Sequence, residues 1–494
     1  MIGLEVTAGW LELAPGSISL DISNPYFSTD SVPGTTTYPF GVSRSPSNQV
    51  RLNFPDVRAD QGEKIADEPC RLYLDGVLRW VGALVYLDCD EEKELYAYSF
   101  VADAADLASR LDGVNLPGLD LGTVPLTLVP DAADYALPCL RNAAFYEADK
   151  VADYGQVVNY YQGGAYQLSP TGKRAPIVPF PRLVPLLRRV YGALGYALSG
   201  PWLDTEEARQ AILYSDRAAE DAAGNVLAQV ALNRHVPDLS VAEFIVALQQ
   251  VFGLAYDFHP VRREVRIRAL RDVIADPAYV ERTGAGLART TAVTGDGYTL
   301  EMALESDDEL NKTLDTGWAK LVIGKGKEAI STAAGTLHVV READPLAPSR
   351  KWAVPAVAAK GASLAFDNGD DSRCGLRLLY DRGLQADSQG ERYPLATWEA
   401  RDYAGTRIGA STLHWDGDEG LYATWHAGWL AFLDRATTKE RIMQFGIADL
   451  LSLDPVRKEL VEGKKYLWEK VSLSLSTTGA PLATATYTYR YTRL

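Results

Sequence analysis

The densest group of possible ligands in the chain is His414-Trp415-Asp416-Gly417-Asp418-Glu419, with His426 twelve residues beyond His414. Carboxylate oxygens in such a run suit calcium, and His414 with Asp416 has the donor types of a transition-metal site. The spacing fits no standard metal loop, however, and Asp-Gly is ordinary turn chemistry. Asp367-Asn368-Gly369-Asp370-Asp371 reads the same way. Gly324-Lys325-Gly326-Lys327-Glu328 looks like half of a phosphate loop, but it lacks the earlier glycine, and Glu328 stands where Ser or Thr must bind magnesium. Gly284-Ala285-Gly286 lacks the third glycine of a dinucleotide turn. Neither His-Glu-x-x-His nor Gly-x-Ser-x-Gly occurs. No catalytic, cofactor or metal residue is therefore expected, and the chain reads as a protein that is not an enzyme. One class stays open. Glycoside cleavage needs only two carboxyl groups about 5–10 Å apart, and the chain has 65 acidic residues, ten Trp and 26 Tyr. A glycan-binding or glycan-cleaving protein is the alternative reading, although the aromatics fall mainly at core spacing.

The elements that would position such groups need a core, and 494 residues with 47% hydrophobic and 23% charged side chains supply one. That length allows about three to four domains. Net charge is −16, which repels nucleic-acid phosphates and anionic membranes, and which suits a surface that DNA passes without sticking. Cys70, Cys89, Cys139 and Cys374 form no C-x-x-C. Cys70 and Cys89 flank expected strands and could meet across a sheet, but small buried thiols are the ordinary reading. The start of the chain alternates like a strand rather than carrying a signal peptide, and no apolar run reaches the ~20 residues of a membrane span. Synthesis in the cytoplasm without a membrane anchor is expected.

Hydrophobic periodicity gives an α+β, mainly β, fold: two small antiparallel β-barrel-like domains separated by an α+β region of helices and hairpins. Residues 1–115 form the first. Leu11–Leu13 and Ser17–Ile22 alternate, and Arg71–Leu74 runs into the hairpin turn Asp75-Gly76. Val77–Trp80, Ala83–Leu87 and Leu95–Val101 add strands, and Val101–Leu111 has helical spacing. Residues 116–180 are an irregular insertion rich in Gly, Pro and Tyr (Tyr154, Tyr160, Tyr161, Tyr166), whose aromatics are expected to pack mainly on its own scaffold, a contact surface for a partner being the alternative. The α+β region is 181–290. It has one helix over Leu183–Leu194 and a second opened by Ser240 and Glu243 as a capping box and closed by Gly253. Residues 291–494 form the second barrel-like domain, with an aromatic helix at about 420–433 and strands over Lys470–Ser476 and Thr484–Thr492.

Five groups of segments follow in order along the chain: Thr37-Tyr38-Pro39-Phe40 with Pro46–Pro55; Leu72–Leu78 with Gly82; Val178–Leu183 with Gly195-Tyr196 and Gly200–Leu203; His235–Phe244; and Gly420-Leu421-Tyr422 with Trp425, Trp429 and Asp449–Pro455. Together they resemble tail hub (baseplate hub, tail tip) proteins of tailed phages and prophages of Bacteroidetes-type bacteria. Residues 115–175 and 325–400 lie outside the resemblance. It implies a virion structural protein at the tail tip, usually a homotrimer, whose two barrel-like domains per chain form a pseudo-six-fold ring. That ring would continue the tail tube and line the DNA ejection channel. Implied partners are a tail tube or distal tail protein and a central spike, tape measure or tail fibre protein, with DNA only in transit. On that reading Asp307, Asp308 and Glu309, together with Asp88, Asp90, Glu91 and Glu92, are the channel-lining candidates; solvated outer turns are the plain alternative.

Overall fold

The structure, a computed structural model, describes residues 2–28, 35–37, 39–102, 113–146, 153–221, 224–259, 261–282, 285–291, 295–359, 362–363, 374–446, 449, 453–477 and 483–491. Of the helix expected over Val101–Leu111, Val101 and Ala102 end a strand and the rest lies outside the described residues, as does the run Asp367–Asp371. The fold is mainly β, with helices set among the strands. Contacts group the chain into two units: 1–111 with 255–295 and 428–494, and 112–254 with 296–427. These boundaries are not those of four consecutive segments. The reason is physical: a strand pairs with whichever edge completes its hydrogen bonds, and the entropic cost of closing a longer loop rises only slowly with its length.

In the first unit, β1 (Ile2–Val6), β2 (Gly9–Trp10), β3 (Ser17–Ser23), β4 (Thr35–Thr37), β5 (Phe40–Ser43), β6 (Glu68–Leu74), β7 (Val77–Asp90) and β8 (Leu95–Ala102) come from the N-terminal part. A hairpin β9 (Leu254–His259) and β10 (Glu264–Ala269) follows, then β11 (Tyr279–Arg282) and β12 (Ala285–Thr291). The C-terminal part adds β13 (Thr438–Phe445), β14 (Lys458–Val461), β15 (Lys464–Ser476) and β16 (Ala483–Tyr491). These strands form one 14-stranded sheet in the order β2-β1-β6-β7-β8-β4-β3-β15-β16-β13-β12, with β5 beside β8 and β14 between β15 and β11.

The seam between the halves is the antiparallel pair β3–β15, in register from Ser17 opposite Ser476 to Ser23 opposite Lys470. Ile18, Leu20, Val471 and Leu473 are buried there in one continuous core with Leu4, Leu72, Phe100, Trp468 and Tyr487. Burying each such aliphatic side chain contributes ~1.5–3 kcal/mol. On the other face Asp21 accepts from Ser472 Oγ at 2.6 Å and pairs with Lys470 Nζ at 2.6 Å. Asn24, just past the seam, donates to the carbonyls of Trp468 (2.8 Å) and Pro455 (3.1 Å). At the far side, Arg282 of β11 donates to Glu459 of β14 at 2.9 Å and to Asp449 at 2.7 Å, and the Tyr489 hydroxyl donates to the same glutamate.

Local chemistry explains the details. Asp75 (φ 48°) and Gly76 (φ 79°) both sit in the left-handed region, as a tight hairpin turn between β6 and β7 requires. The two strands expected over Val77–Leu87 are one 14-residue strand with irregular register at Tyr86/Asp88. Gly82 permits it: a Cβ there would lie 2.0 Å from the Val101 carbonyl oxygen on β8. Leu11–Leu13 does not form the expected strand apart from a bridge between Leu13 and Val42. Its backbone is served instead by Asn48, which is fully buried. The Asn48 amide donates to the Glu12 and Ser43 carbonyls (2.9 and 2.8 Å) and accepts from Glu12 N–H (3.1 Å). Asn48 lies on α1 (Pro46–Arg51), capped by Ser45; α2 (Pro55–Asp60) follows after Asn53 and Phe54, both at positive φ.

In the second unit the helices Leu183–Ala193 and Val241–Phe252 stand as expected. The latter has its Ser240–Glu243 capping box and Gly253 in the left-handed region (φ 55°). A Cβ on Gly253 would approach the Trp425 carbonyl oxygen to 2.9 Å. Residues 325–400, outside the resemblance, supply the hairpin of His338–Asp344 with Ala347–Ala356 and the pair Leu376–Ala386 with Arg392–Thr397. Tyr160, Tyr161 and Tyr166 of the insertion are buried. The chain passes between the units through the aromatic segment, which begins with a π turn at Tyr422–His426 and continues as the helix Ala427–Arg435. Among the described residues no helix is long and apolar enough to cross a membrane.

Candidate functional site

The channel-lining candidates fall on two turns. In the first unit, 91–94 joins β7 to β8, with Asp88, Glu91, Glu92 and Glu94 exposed. Asp90 is paired with Lys93 at 2.6 Å, which holds its carboxyl below the usual range. Leu87 beside them is 44% exposed. In the second unit, Asp307 and Glu309 are exposed, and Glu309 pairs with Lys312 at 2.7 Å.

Asp308 is turned inward, unlike its two neighbours. It is 2% exposed, accepts from the N–H groups of Ala358 (2.9 Å) and Leu310 (3.2 Å), and pairs with Arg377 Nη1 at 3.2 Å. Arg377 in turn lies over the Tyr214 ring at 5.4 Å. A carboxylate taken from water is tolerable only with such partners, so Asp308 ties the turn to the strand Leu376–Ala386.

The possible metal ligands do not converge. His414 is held between the rings of Trp398 (3.4 Å) and Trp318 (4.7 Å), nearly parallel to both. Burial pushes its pKa down to about 3. His426 is buried, with Nε2 against the Val251 carbonyl at 3.0 Å, and burial lowers its pKa to about 4. Asp416 and Asp418 stand on an exposed turn. Among the described residues no group of three or more His, Cys, Asp or Glu is placed to hold a metal ion. Cys70 lies opposite Gly82 and Cys89 opposite Tyr96, so the two thiols do not face each other; both are free.

The half phosphate loop is spent as well. Lys325 and Lys327 pair with opposite oxygens of Asp296 (2.9 and 2.8 Å), and the N–H groups of both lysines point at the Asp296 carbonyl. The two ammonium groups pull the Asp296 carboxyl down to about 2, and a phosphate would have to displace it. Gly284 lies outside the described residues, and Ala285 and Gly286 open β12.

Two arrangements were not legible in the sequence. Ser215 Oγ and His235 Nδ1 are 3.1 Å apart, a nucleophile–base pair in form. Both are buried, and Ser215 Oγ also accepts from Arg217 N–H at 3.3 Å. Burial and Arg217 bring the imidazole to about 3, far from the near-neutral pKa of a general base. The other is the tip of the β9–β10 hairpin, where Val261 is 40% exposed beside the exposed Arg262 and Arg263. The Arg-Arg pair in a turn was the available signal. The tryptophans give no open sugar platform: Trp202, Trp352, Trp415, Trp425 and Trp429 are fully buried, and Trp10 alone of the ten is exposed.

No family model and no curated protein matches the chain. Solved structures similar to it include the 43 kDa tail protein of prophage MuSo2 from Shewanella oneidensis, at TM-score 0.38 and 8% identity, covering 99% of this chain and 95% of that one. The tail protein from Neisseria meningitidis MC58 gives TM-score 0.38 and 9% identity over 99% of this chain and 95% of that one. The E. coli c3393 protein, a component of the type VI secretion system with structural similarity to the T4 bacteriophage tail proteins gp27 and gp5, gives TM-score 0.30 and 8% identity, covering 98% and 76%.

Proposed function

We propose that this chain is a structural hub protein of a phage-type tail tip, acting as a homotrimer whose sheets close into a ring. The ring joins a tail tube or distal tail protein to a central spike, tape measure or fibre protein, and DNA leaves through its bore. The observation that carries the reading is the seam: two β halves from opposite ends of one chain share one sheet through β3 and β15. Among the described residues the path of this sheet ends at β2 and β12, with β11 a further edge, and closure with sister copies is one of the ways proteins remove exposed edges. The order of hub-like segments along the sequence supports the same reading. So does the net charge of −16, which keeps a polyanion from sticking during passage. Asp307 and Glu309 are the bore-lining groups proposed from the second unit.

Electron microscopy of the purified protein, with its native mass, tests this. The expected result is a closed ring of three copies with an open centre. A monomer at all concentrations refutes it, and a monomer that binds or shortens surface polysaccharide establishes the glycan alternative.

A further inference from the structure

We propose that copies of this chain meet through two charged turns of the first unit: the acidic 87–94 turn of one copy docks on the basic 261–263 turn of the next. This rests on the ring reading and adds a second contact to the sheet edges.

The turns are complementary in charge. Residues 87–94 hold Asp88, Asp90, Glu91, Glu92 and Glu94 against the single Lys93, and Lys93 is already used by Asp90. The hairpin tip carries Arg262 and Arg263 in a chain where acids outnumber bases by 65 to 49. Each turn also exposes one aliphatic side chain, Leu87 at 44% and Val261 at 40%. Among the described residues, none of Asp88, Glu91, Glu92, Glu94, Arg262 and Arg263 makes a side-chain ion pair within its own copy. Like charges gathered this closely repel one another, and an opposite patch relieves both turns at once. Because the two patches differ, the contact is head-to-tail, the type that repeats around a ring.

Nucleic acid fits the basic tip less well. Among the described residues of this hairpin and the helix after it, Arg262, Arg263 and Arg268 make no ion pair, while Arg266 pairs with Glu264 at 3.2 Å and Arg271 with Asp272 at 3.6 Å. Glu264 and Asp257 stand on the same hairpin and would repel phosphates.

The test is a charge swap in the full chain. Arg262→Glu with Arg263→Glu, and separately Glu91→Lys with Glu92→Lys, are compared with the four changes combined, using native mass spectrometry and sedimentation at low and high salt. Each reversal is expected to weaken assembly by roughly tenfold or more, the combination to restore it, and high salt to loosen the unmodified assembly. Glutamine at the same four positions gives a second series free of new charge, should a reversed chain fail to fold. Assembly of the unmodified chain with no loss in either series overturns the docking and leaves the ring. A chain that never assembles overturns both. Loss of duplex DNA binding on Arg reversal, with assembly unchanged, assigns the tip to nucleic acid and overturns the proposal.

Discussion

Truncating Leu20 to alanine tests whether the two ends of the chain are one cooperative sheet. Leu20 is fully buried at the middle of β3, opposite Leu473, which is 1% exposed, with Ile18 and Ile22 on the same face. Replacing a buried leucine by alanine costs about 2–5 kcal/mol, the range reflecting how far the surroundings collapse into the cavity. The flanking pairs Ile18–Leu475 and Ile22–Val471 are held by the ladder and by Asp21 on the opposite face, so little collapse is expected. At about 1.4 kcal/mol per tenfold, the opening equilibrium of the sheet rises roughly 30-fold to several-thousand-fold. Hydrogen exchange read by mass spectrometry resolves this peptide by peptide. Amides of β3, β15 and β16 are expected to speed up together, although residues 464–491 lie more than four hundred positions from the substitution. Faster exchange confined to residues 2–102, with β15 and β16 unchanged, would refute the shared core and with it the seam on which the functional reading stands.

Asp308→Ala strands the buried Arg377, whose remaining carboxylate neighbour is Glu305 at 3.8 Å. A loss of about 3–5 kcal/mol is expected in chemical denaturation, against about 0.5 kcal/mol or less for Asp307→Ala; equal effects would return Asp308 to the surface. Burial alone would raise the Asp56 carboxyl, but hydrogen bonds from the Tyr96 hydroxyl, the Arg44 guanidinium and the Val57 N–H outweigh it and hold the pKa below its ordinary value. A carboxyl lowered in the folded state stabilises above its unfolded pKa of about 3.9, and that contribution is lost as pH falls through the folded value. Asp56→Asn should therefore be less stable than the unmodified chain at neutral pH, with the gap closing below about pH 4. A gap in unfolding temperature that stays constant with pH would rule this out.

Elements whose stability is written in local periodicity were readable from the residues. The helix Val241–Phe252 has its apolar stripe, its Ser240–Glu243 cap and its Gly253 stop within fourteen residues, and Asp75-Gly76 announces the β6–β7 hairpin. So were the alternating strands β3, β15 and β16. What could not be read was which edge each strand would meet. The β3–β15 pairing joins residues some 450 positions apart, and nothing in either strand's alternation names its partner. For the same reason Asp308 resembled its exposed neighbours Asp307 and Glu309, because only the fold brings Arg377 and the Ala358 N–H to its carboxylate. The sequence by itself determined a mainly β, acidic chain without a catalytic signature, since composition and period act through each residue's own neighbourhood. The tertiary structure alone decided that the ends share one sheet, that His414 lies between two indoles, and which acids remain in water, because those outcomes depend on contacts made across the whole chain.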